Sequence, residues 1–155
     1  MIVLTLPYPI SANRYWASRV VKTGGKSMAV TYVTADAKAY KAEVERIARL
    51  YGVREPMACR TEIAIRLYPQ RPQDWERRAR LNPATWDDDV RSIDLDNANK
   101  VLLDALKGVV LVDDSRRYVR RIVSEHMEPD GRARVLVAIR PLVVASPQAS
   151  LLEAA

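Results

Sequence analysis

The sequence predicts an α+β fold in a single domain. The chain has 155 residues, short β-branched runs recur along it, and two longer segments have the apolar spacing of amphipathic helices. This length is typical of one domain. We expect the domain to cover residues 1–145, with a long insertion at about 69–91, and a frayed C-terminal tail at 146–155.

Two strands are predicted near the N-terminus. The first is residues 2–6, an apolar β-branched run that ends at Pro7, and the second is residues 28–33. Between them lie a proline-rich loop with an aromatic end, residues 7–16, and a turn at 22–26 that contains two adjacent glycines. We expect this turn to be mobile.

The first helix is predicted at residues 35–51. Thr34 is suited to its N-cap and Gly52 to its end. Its expected apolar stripe consists of Ala39, Val44, Ile47, Ala48 and Tyr51.

A half-buried strand is predicted at residues 61–68, because apolar and charged side chains alternate there and place Glu62 and Arg66 on the solvent side. The insertion that follows is rich in Pro, Trp and Arg, and we expect part of it, around 75–81, to be helical.

The second helix is predicted at residues 96–107, with Asp96 as N-cap and Gly108 after its last turn. Its expected buried face consists of Ala98, Val101, Leu102, Ala105 and Val109. A short strand at 109–112 follows. Residues 118–127 and 133–141 then form an expected hairpin around a Pro-Asp-Gly turn.

The composition excludes several classes of protein. One Cys excludes an internal disulfide framework, and one His excludes a zinc site of the His/Cys type. Neither a membrane-spanning apolar run nor a secretory signal is visible. We therefore expect a soluble protein of a reducing compartment.

The charge favours a polyanionic partner. Lys and Arg number 25 against 19 Asp and Glu, which gives a net charge of +6. Clustered arginines suit phosphate recognition, and nucleic acid is the usual partner of such a protein. The alternative is an ordinary basic protein with solvated surface arginines.

The most informative segment holds Asp94, Asp96 and Lys100. In extended backbone, side chains two residues apart share a face, so both carboxylates can be aimed at one point. Lys100 follows one helical turn later. Asp114, in the pair with Asp113, can return toward them after the helix, and the sequence does not fix which member of this pair turns inward. Clustered carboxylates favour a shared cation, and these oxygen ligands suit Mg²⁺ with a phosphate substrate.

Other interpretations of these acids stay open. Asp96 can be a simple helix cap in a surface ladder with Lys100 and Asp104, and residues 113–114 can form a turn. A calcium loop is excluded because the ligand positions hold alanine. The acidic run 87–89 is a rival metal site, for which we favour a solvated loop.

Two motifs resemble those of the RusA-type crossover-junction endodeoxyribonucleases. One is the N-terminal segment 6–15, Leu-Pro-Tyr-Pro-Ile-Ser-Ala-Asn-Arg-Tyr. The other runs from Asp94-Leu95-Asp96-Asn97 through Lys100 and 103–108 to Val112-Asp113-Asp114-Ser115.

The resemblance implies a homodimeric, Mg²⁺-dependent enzyme that cuts four-way (Holliday) DNA junctions in recombination and repair, with Mn²⁺ as a substitute metal. It implies a mixed sheet of four to five strands with two helices, in the cytoplasm of a bacterium or its phage-infected host. Asp94, Asp96 and Asp114 match the catalytic, metal-holding acids, and Lys100 matches the basic catalytic residue. The sequence departs from the family at Ser92 and Ile93, where a basic residue often stands.

Positively charged and polar residues near these motifs are the candidate DNA contacts. They are Asn13, Arg14, Lys22, Lys26, Arg71, Arg77, Arg78, Arg80, Arg91, Arg116 and Arg117. Tyr68, Trp75 and Trp86 are candidates for base stacking, or alternatively for core packing. Two rival functions are an inactive DNA-binding accessory protein and a nuclease for flaps or other branched nucleic acids.

Overall fold

A four-stranded mixed sheet with helices against one face forms the centre of the molecule, as the predicted α+β class requires. The computed structural model describes residues 1–143. In chain order the elements are β1 (Ile2–Pro7), α1 (Ala12–Tyr15), β2 (Trp16–Thr23), β3 (Lys26–Val33), α2 (Ala35–Leu50), β4 (Thr61–Tyr68), α3 (Trp75–Leu81), α4 (Leu95–Leu106), β5 (Val119–His126) and β6 (Arg134–Pro141). The predicted tail lies outside the described residues.

The strand order in the sheet is β1-β6-β4-β5, so the predicted hairpin of the last two strands is wrong. Both strands exist, but β4 lies between them, antiparallel to β6 and parallel to β5. Their connection crosses the end of β4, where Met127 N donates to Leu67 O and Arg71 N donates to Gly131 O. Long-range pairing with β4 therefore replaces the local hairpin.

The core lies between the sheet and the two long helices. Ile63, Ile65 and Leu67 of β4 are fully buried and belong to one cluster with Val101 and Leu102 of α4. Burial of each such side chain contributes about 1.5–3 kcal/mol. This packing fixes α4, and with it the two acids at its start, against β4 and β5.

α2 begins and ends as predicted, but its buried stripe differs. Thr34 Oγ1 accepts a hydrogen bond from Ala37 N at 3.2 Å, and Gly52 has a φ of +87°. Ala39 and Tyr51 are exposed. The buried residues are Ala37, Tyr40, Val44 and Ala48, an unbroken series at spacings of three and four that keeps one face toward the core.

A hairpin arm, residues 16–33, consists of β2 and β3 and forms its own two-stranded sheet. β2 was not predicted, and β3 begins two residues earlier than expected. The arm turns at Gly24 and Gly25, whose φ values of +58° and +78° favour glycine. Most of the arm is exposed, and its sequence contains three cations and no acidic residue.

Glu62 is buried, contrary to the expectation that it faces solvent. Its carboxylate lies 3.0 Å from Arg121 Nη1 and 2.7 Å from Arg140 Nη2, on the two strands that flank β4. The central position of β4 explains the difference, because arginine side chains from the strands on both sides of β4 cover Glu62. The predicted strand at 109–112 is also wrong: Leu111 forms only isolated bridges, with Met57 and Lys107.

Candidate active site at the N-terminus of α4

Asp94, rather than Asp96, is the N-cap residue of α4. Its backbone is extended, with φ −64° and ψ 145°, and its carbonyl accepts the first helical hydrogen bond from Ala98 N at 2.9 Å. Its carboxylate makes no capping hydrogen bond. The helix begins one residue earlier than predicted, so Asp96 lies in the first turn, where a negative charge is favourable.

Asp96 and Lys100 form the expected contact across one helical turn, with Oδ2 and Nζ 3.5 Å apart. Their side chains are 70% and 63% exposed, so both remain accessible to a ligand. Asp104 does not continue this ladder. It accepts hydrogen bonds from the Tyr15 hydroxyl and from Lys41 Nζ, which belong to α1 and α2.

Asp94 lies in an open groove of about 580 Å³ between α4 and the N-terminal loop. Two cations, Arg14 and Arg91, lie in the same groove. The other lining residues are Tyr8, Pro9, Ile10, Ser11, Gln70, Ser92, Ile93, Asn97 and Ala133. A groove lined by a carboxylate and two guanidinium groups suits a phosphate-containing ligand that brings a cation.

A hydrogen-bond network holds the segment that precedes Asp94. Tyr8 Oη lies 2.7 Å from Ser92 Oγ and accepts from Ile93 N at 3.1 Å. Ser92 Oγ also lies 3.2 Å from His126 Nδ1 at the end of β5. Sequence reasoning assigned no site role to Tyr8 or His126. Tyr8 could have been found because it belongs to the N-terminal motif of residues 6–15, whereas no pattern in the sequence indicated His126.

Asp113 and Asp114 lie at the opposite end of α4. Lys107, the C-cap residue, has its Nζ 2.6 Å from Asp113 Oδ1 and 3.0 Å from Asp114 Oδ1. The 12 residues of α4 span about 18 Å at 1.5 Å per residue. Within residues 1–143, no three His, Cys, Asp or Glu side chains are grouped to hold a metal ion. One chain therefore does not bring Asp114 to Asp94, contrary to expectation.

The contact with Lys107 determines the charge state at this end of the helix. Hydrogen bonds, first from Lys107 and then from Ser115, hold the pKa of Asp113 well below its usual range. Hydrogen bonds to Asp113, the larger cause, and to Asp114 raise the pKa of Lys107. All of these groups are partly exposed, and the lowered pKa keeps Asp113 ionised at neutral pH.

The comparison with known proteins identifies the family. The model of the endodeoxyribonuclease RusA family matches residues 7–140, most of the chain. The chain belongs to the RusA endodeoxyribonuclease family. No match to a curated protein was found. Membership implies an endonuclease that resolves Holliday junctions.

In this RusA-family protein, some candidate DNA contacts are paired with acidic residues and most of the others are exposed. Arg14 is paired with Asp36, and Arg78 of α3 with Asp74 and Asp89. This last contact involves the acidic run 87–89. Most of the other candidates are exposed: Asn13, Lys22, Lys26, Arg77, Arg80, Arg91, Arg116 and Arg117.

The candidate stacking residues have different environments. Trp86 is only 6% exposed, and its Nε1 donates to Glu128 Oε1 at 3.0 Å, so for this residue the structure favours the packing alternative over base stacking. Trp75 lies under the guanidinium of Arg71, 4.6 Å from the ring centroid, and Tyr68 lies under Arg134 at 4.1 Å. Packing and cation–π contacts thus occupy all three rings.

Along residues 1–143, no helix has the length and apolar composition to cross a membrane.

Proposed function

We propose that this protein is a structure-selective, Mg²⁺-dependent endonuclease that cuts phosphodiester bonds in four-way DNA junctions. One observation carries the proposal: Asp94, whose carboxylate makes no capping hydrogen bond, lines a groove that also contains Arg14 and Arg91. The family supports endonuclease action on junctions. The metal and the roles of individual residues are our inference.

The donor set at the start of α4 fits Mg²⁺. Two carboxylates, Asp94 and Asp96, are the hard oxygen ligands that this ion uses together with water and substrate phosphate. Bound there, Mg²⁺ or its substitute Mn²⁺ supplies Lewis-acid stabilisation of charge on the phosphate oxygens. Lys100 adds positive charge beside the reacting phosphate, and Arg14 and Arg91 hold the flanking phosphates.

We propose that a second copy of the chain supplies the third carboxylate. Because Asp114 lies about one helix length from Asp94, a homodimer is needed to place Asp114 of the partner subunit beside Asp94 and Asp96. A two-fold dimer then contains two identical sites. This matches a junction with pseudo-two-fold symmetry, in which two strands are cut.

The test is a panel of labelled substrates: a four-way junction, a flap, plain duplex and single strands. We expect Mg²⁺-dependent paired cuts in the junction and no cutting once EDTA is added. Junction binding without cutting in any metal would indicate an accessory protein. Preferential cutting of flaps would indicate the other branched-substrate nuclease. Either result would overturn the proposal.

A further inference from the structure

A further depression adjoins the groove at the start of α4. This side cleft has a volume of about 400 Å³, and its lining includes Arg71, Trp75 and Arg132. Gln70 lines both the groove and the side cleft. Ala133 lines the groove, and its N–H donates to Gln70 Oε1 at 3.2 Å. The side cleft therefore meets the groove at Gln70.

The two walls of the side cleft come from distant parts of the chain. One wall follows β4 and the other precedes β6, and Arg71 N donates to Gly131 O across them at 2.9 Å. β4 and β6 are neighbours in the sheet, with Tyr68 opposite Arg134. The sheet therefore fixes the separation of the walls.

The side cleft carries positive charge that nearby acids do not balance. Among the described residues, its lining contains two arginines and no acid. Asp130, next to one wall, is bound through both oxygens by Arg134, at 2.6 and 2.7 Å. Within residues 1–143, neither Arg71 nor Arg132 belongs to a salt bridge. Such a cleft suits an anionic ligand.

Trp75 orients the guanidinium of Arg71, which lies 4.6 Å from the ring centroid. Stacking uses the face of a guanidinium and leaves the N–H donors in its plane, where they match a phosphate. The Trp75 ring in turn lies 6.2 Å from that of Trp86, which is buried. An arginine held in this way loses less conformational entropy when it binds a ligand.

We propose that the side cleft binds a phosphodiester of the DNA strand whose scissile phosphate lies at Asp94. Arg71 and Arg132 are the phosphate ligands, and Trp75 is a positioning residue that acts through Arg71. This inference rests on the proposed function, because it specifies the path of the cut strand. Every nucleotide carries a phosphate, so a strand that leaves the groove past Gln70 brings one into the side cleft.

Another depression beside α3, of about 320 Å³, does not suit this role. Its Arg78 is bound to Asp74 at 2.9 Å and to Asp89 at 2.7 Å. Asp88 also lines it. A phosphate there would approach three carboxylates, which repel it.

The test measures binding of the full-length protein to a labelled four-way junction in EDTA by fluorescence anisotropy. Single phosphates around the crossover are replaced by uncharged methylphosphonates, one position at a time. We expect Arg71→Ala and Arg132→Ala each to bind the unmodified junction about tenfold more weakly. We also expect one methylphosphonate position that weakens wild-type binding to have no further effect in these two variants.

The matched control is Arg54→Ala, which removes an exposed arginine beyond the end of α2. α2 begins beside the groove, where Asp36 pairs with Arg14, and its 16 residues span about 24 Å. Arg54 therefore lies far from the groove. We expect this variant to have wild-type affinity and the wild-type methylphosphonate profile.

Trp75→Leu tests the positioning role. It should weaken binding in the wild-type background and have no further effect in the Arg71→Ala background, while Trp75→Phe should restore binding. Equal weakening in both backgrounds would overturn the positioning role of Trp75. Far-UV circular dichroism checks that each variant folds.

Wild-type affinity of Arg71→Ala and Arg132→Ala, or a wild-type methylphosphonate profile in both, would overturn the side cleft as a phosphate site. Junction cutting by the wild-type protein in Mg²⁺ is an independent measurement. Cutting together with unchanged affinity of the two variants would overturn only the side cleft. The expected binding losses without any cutting would overturn only the proposed function.

Discussion

Tyr8 Oη lies 2.7 Å from Ser92 Oγ, although 84 residues separate them in the chain. The contact joins the N-terminal loop to the segment that enters α4, two residues before Asp94. Tyr40 supports the loop from α2, since its hydroxyl donates to Pro7 O at 3.0 Å. The position of Asp94 thus depends on residues from distant parts of the chain.

Tyr8→Phe tests this positioning. The change keeps the ring and removes the hydroxyl that Ile93 N and Ser92 use, so the start of α4 loosens. We expect kcat for junction cleavage to fall about tenfold, with little change in KM and a loss of about 1 kcal/mol in the free energy of unfolding.

The control for Tyr8→Phe is Tyr32→Phe, which removes the same atom from the exposed arm and should leave kcat unchanged. Equal effects of the two changes on kcat would contradict a positioning role for Tyr8.

Asp96→Asn tests the metal site. Removing one carboxylate charge weakens the hold on Mg²⁺ and lessens repulsion of DNA phosphates. We expect cleavage to be lost while gel-shift assays show junction binding that is retained or tighter. Asp87→Asn, in the rival acidic run, should cut at the wild-type rate; the reverse pattern would move the metal site to residues 87–89.

Subunit mixing tests whether two copies share each site. Asp96→Asn and Asp114→Asn should each be inactive alone. In a co-expressed heterodimer, both substitutions fall in one site and the other site is intact. We expect recovered cutting of one junction strand, read as nicks on a denaturing gel. A site confined to one chain would remain inactive in the mixture.

The hairpin arm is predicted to contact DNA through Lys22 and Lys26, which flank its tip. Replacing both with alanine should weaken junction binding and reduce the slope of log K against log salt by about 2, since each phosphate contact contributes about 0.9. Lys38→Ala on α2 is the control and should leave the slope unchanged. An unaltered slope in the double variant would exclude the arm from the interface.

Alkaline pH should destabilise the protein through two tyrosines. Burial, followed by the hydrogen bond to Asp104, raises the pKa of Tyr15, and burial raises that of Tyr40. A raised folded-state pKa gives stability that is complete below the unfolded value near 10 and is lost as pH rises above it. We expect the free energy of unfolding to fall by up to about 1.4 kcal/mol per pH unit for each group.

Tyr15→Phe should cost about 2 kcal/mol at neutral pH, because Asp104 loses a hydrogen bond. The variant should also have a shallower alkaline slope. Urea unfolding at pH 7, 10 and 11 measures both effects. An identical slope in the two proteins would show that Tyr15 does not titrate in this way.

Local structure could largely be predicted from the sequence. The cap at Thr34, the end at Gly52 and the apolar face of α4 depend on neighbours three or four residues away, so they are visible in the chain itself. The contact between Asp96 and Lys100 was found for the same reason, since one helical turn relates these two residues.

Long-range relationships could not be predicted. The sequence suggested a hairpin of β5 and β6, because local turn chemistry favours it, but the insertion of β4 depends on pairing across more than fifty residues. The burial of Glu62 and the network of Tyr8, Ser92 and His126 have the same origin.

The residues themselves determined the chemistry that this protein carries: carboxylates for a hard cation and guanidinium groups for phosphate. Only the tertiary structure decided where those groups lie, with two acids at one end of α4 and the third held by Lys107 at the other. The reason is geometric, because a rigid helix keeps its ends apart, and spacing along a sequence does not encode which surfaces meet.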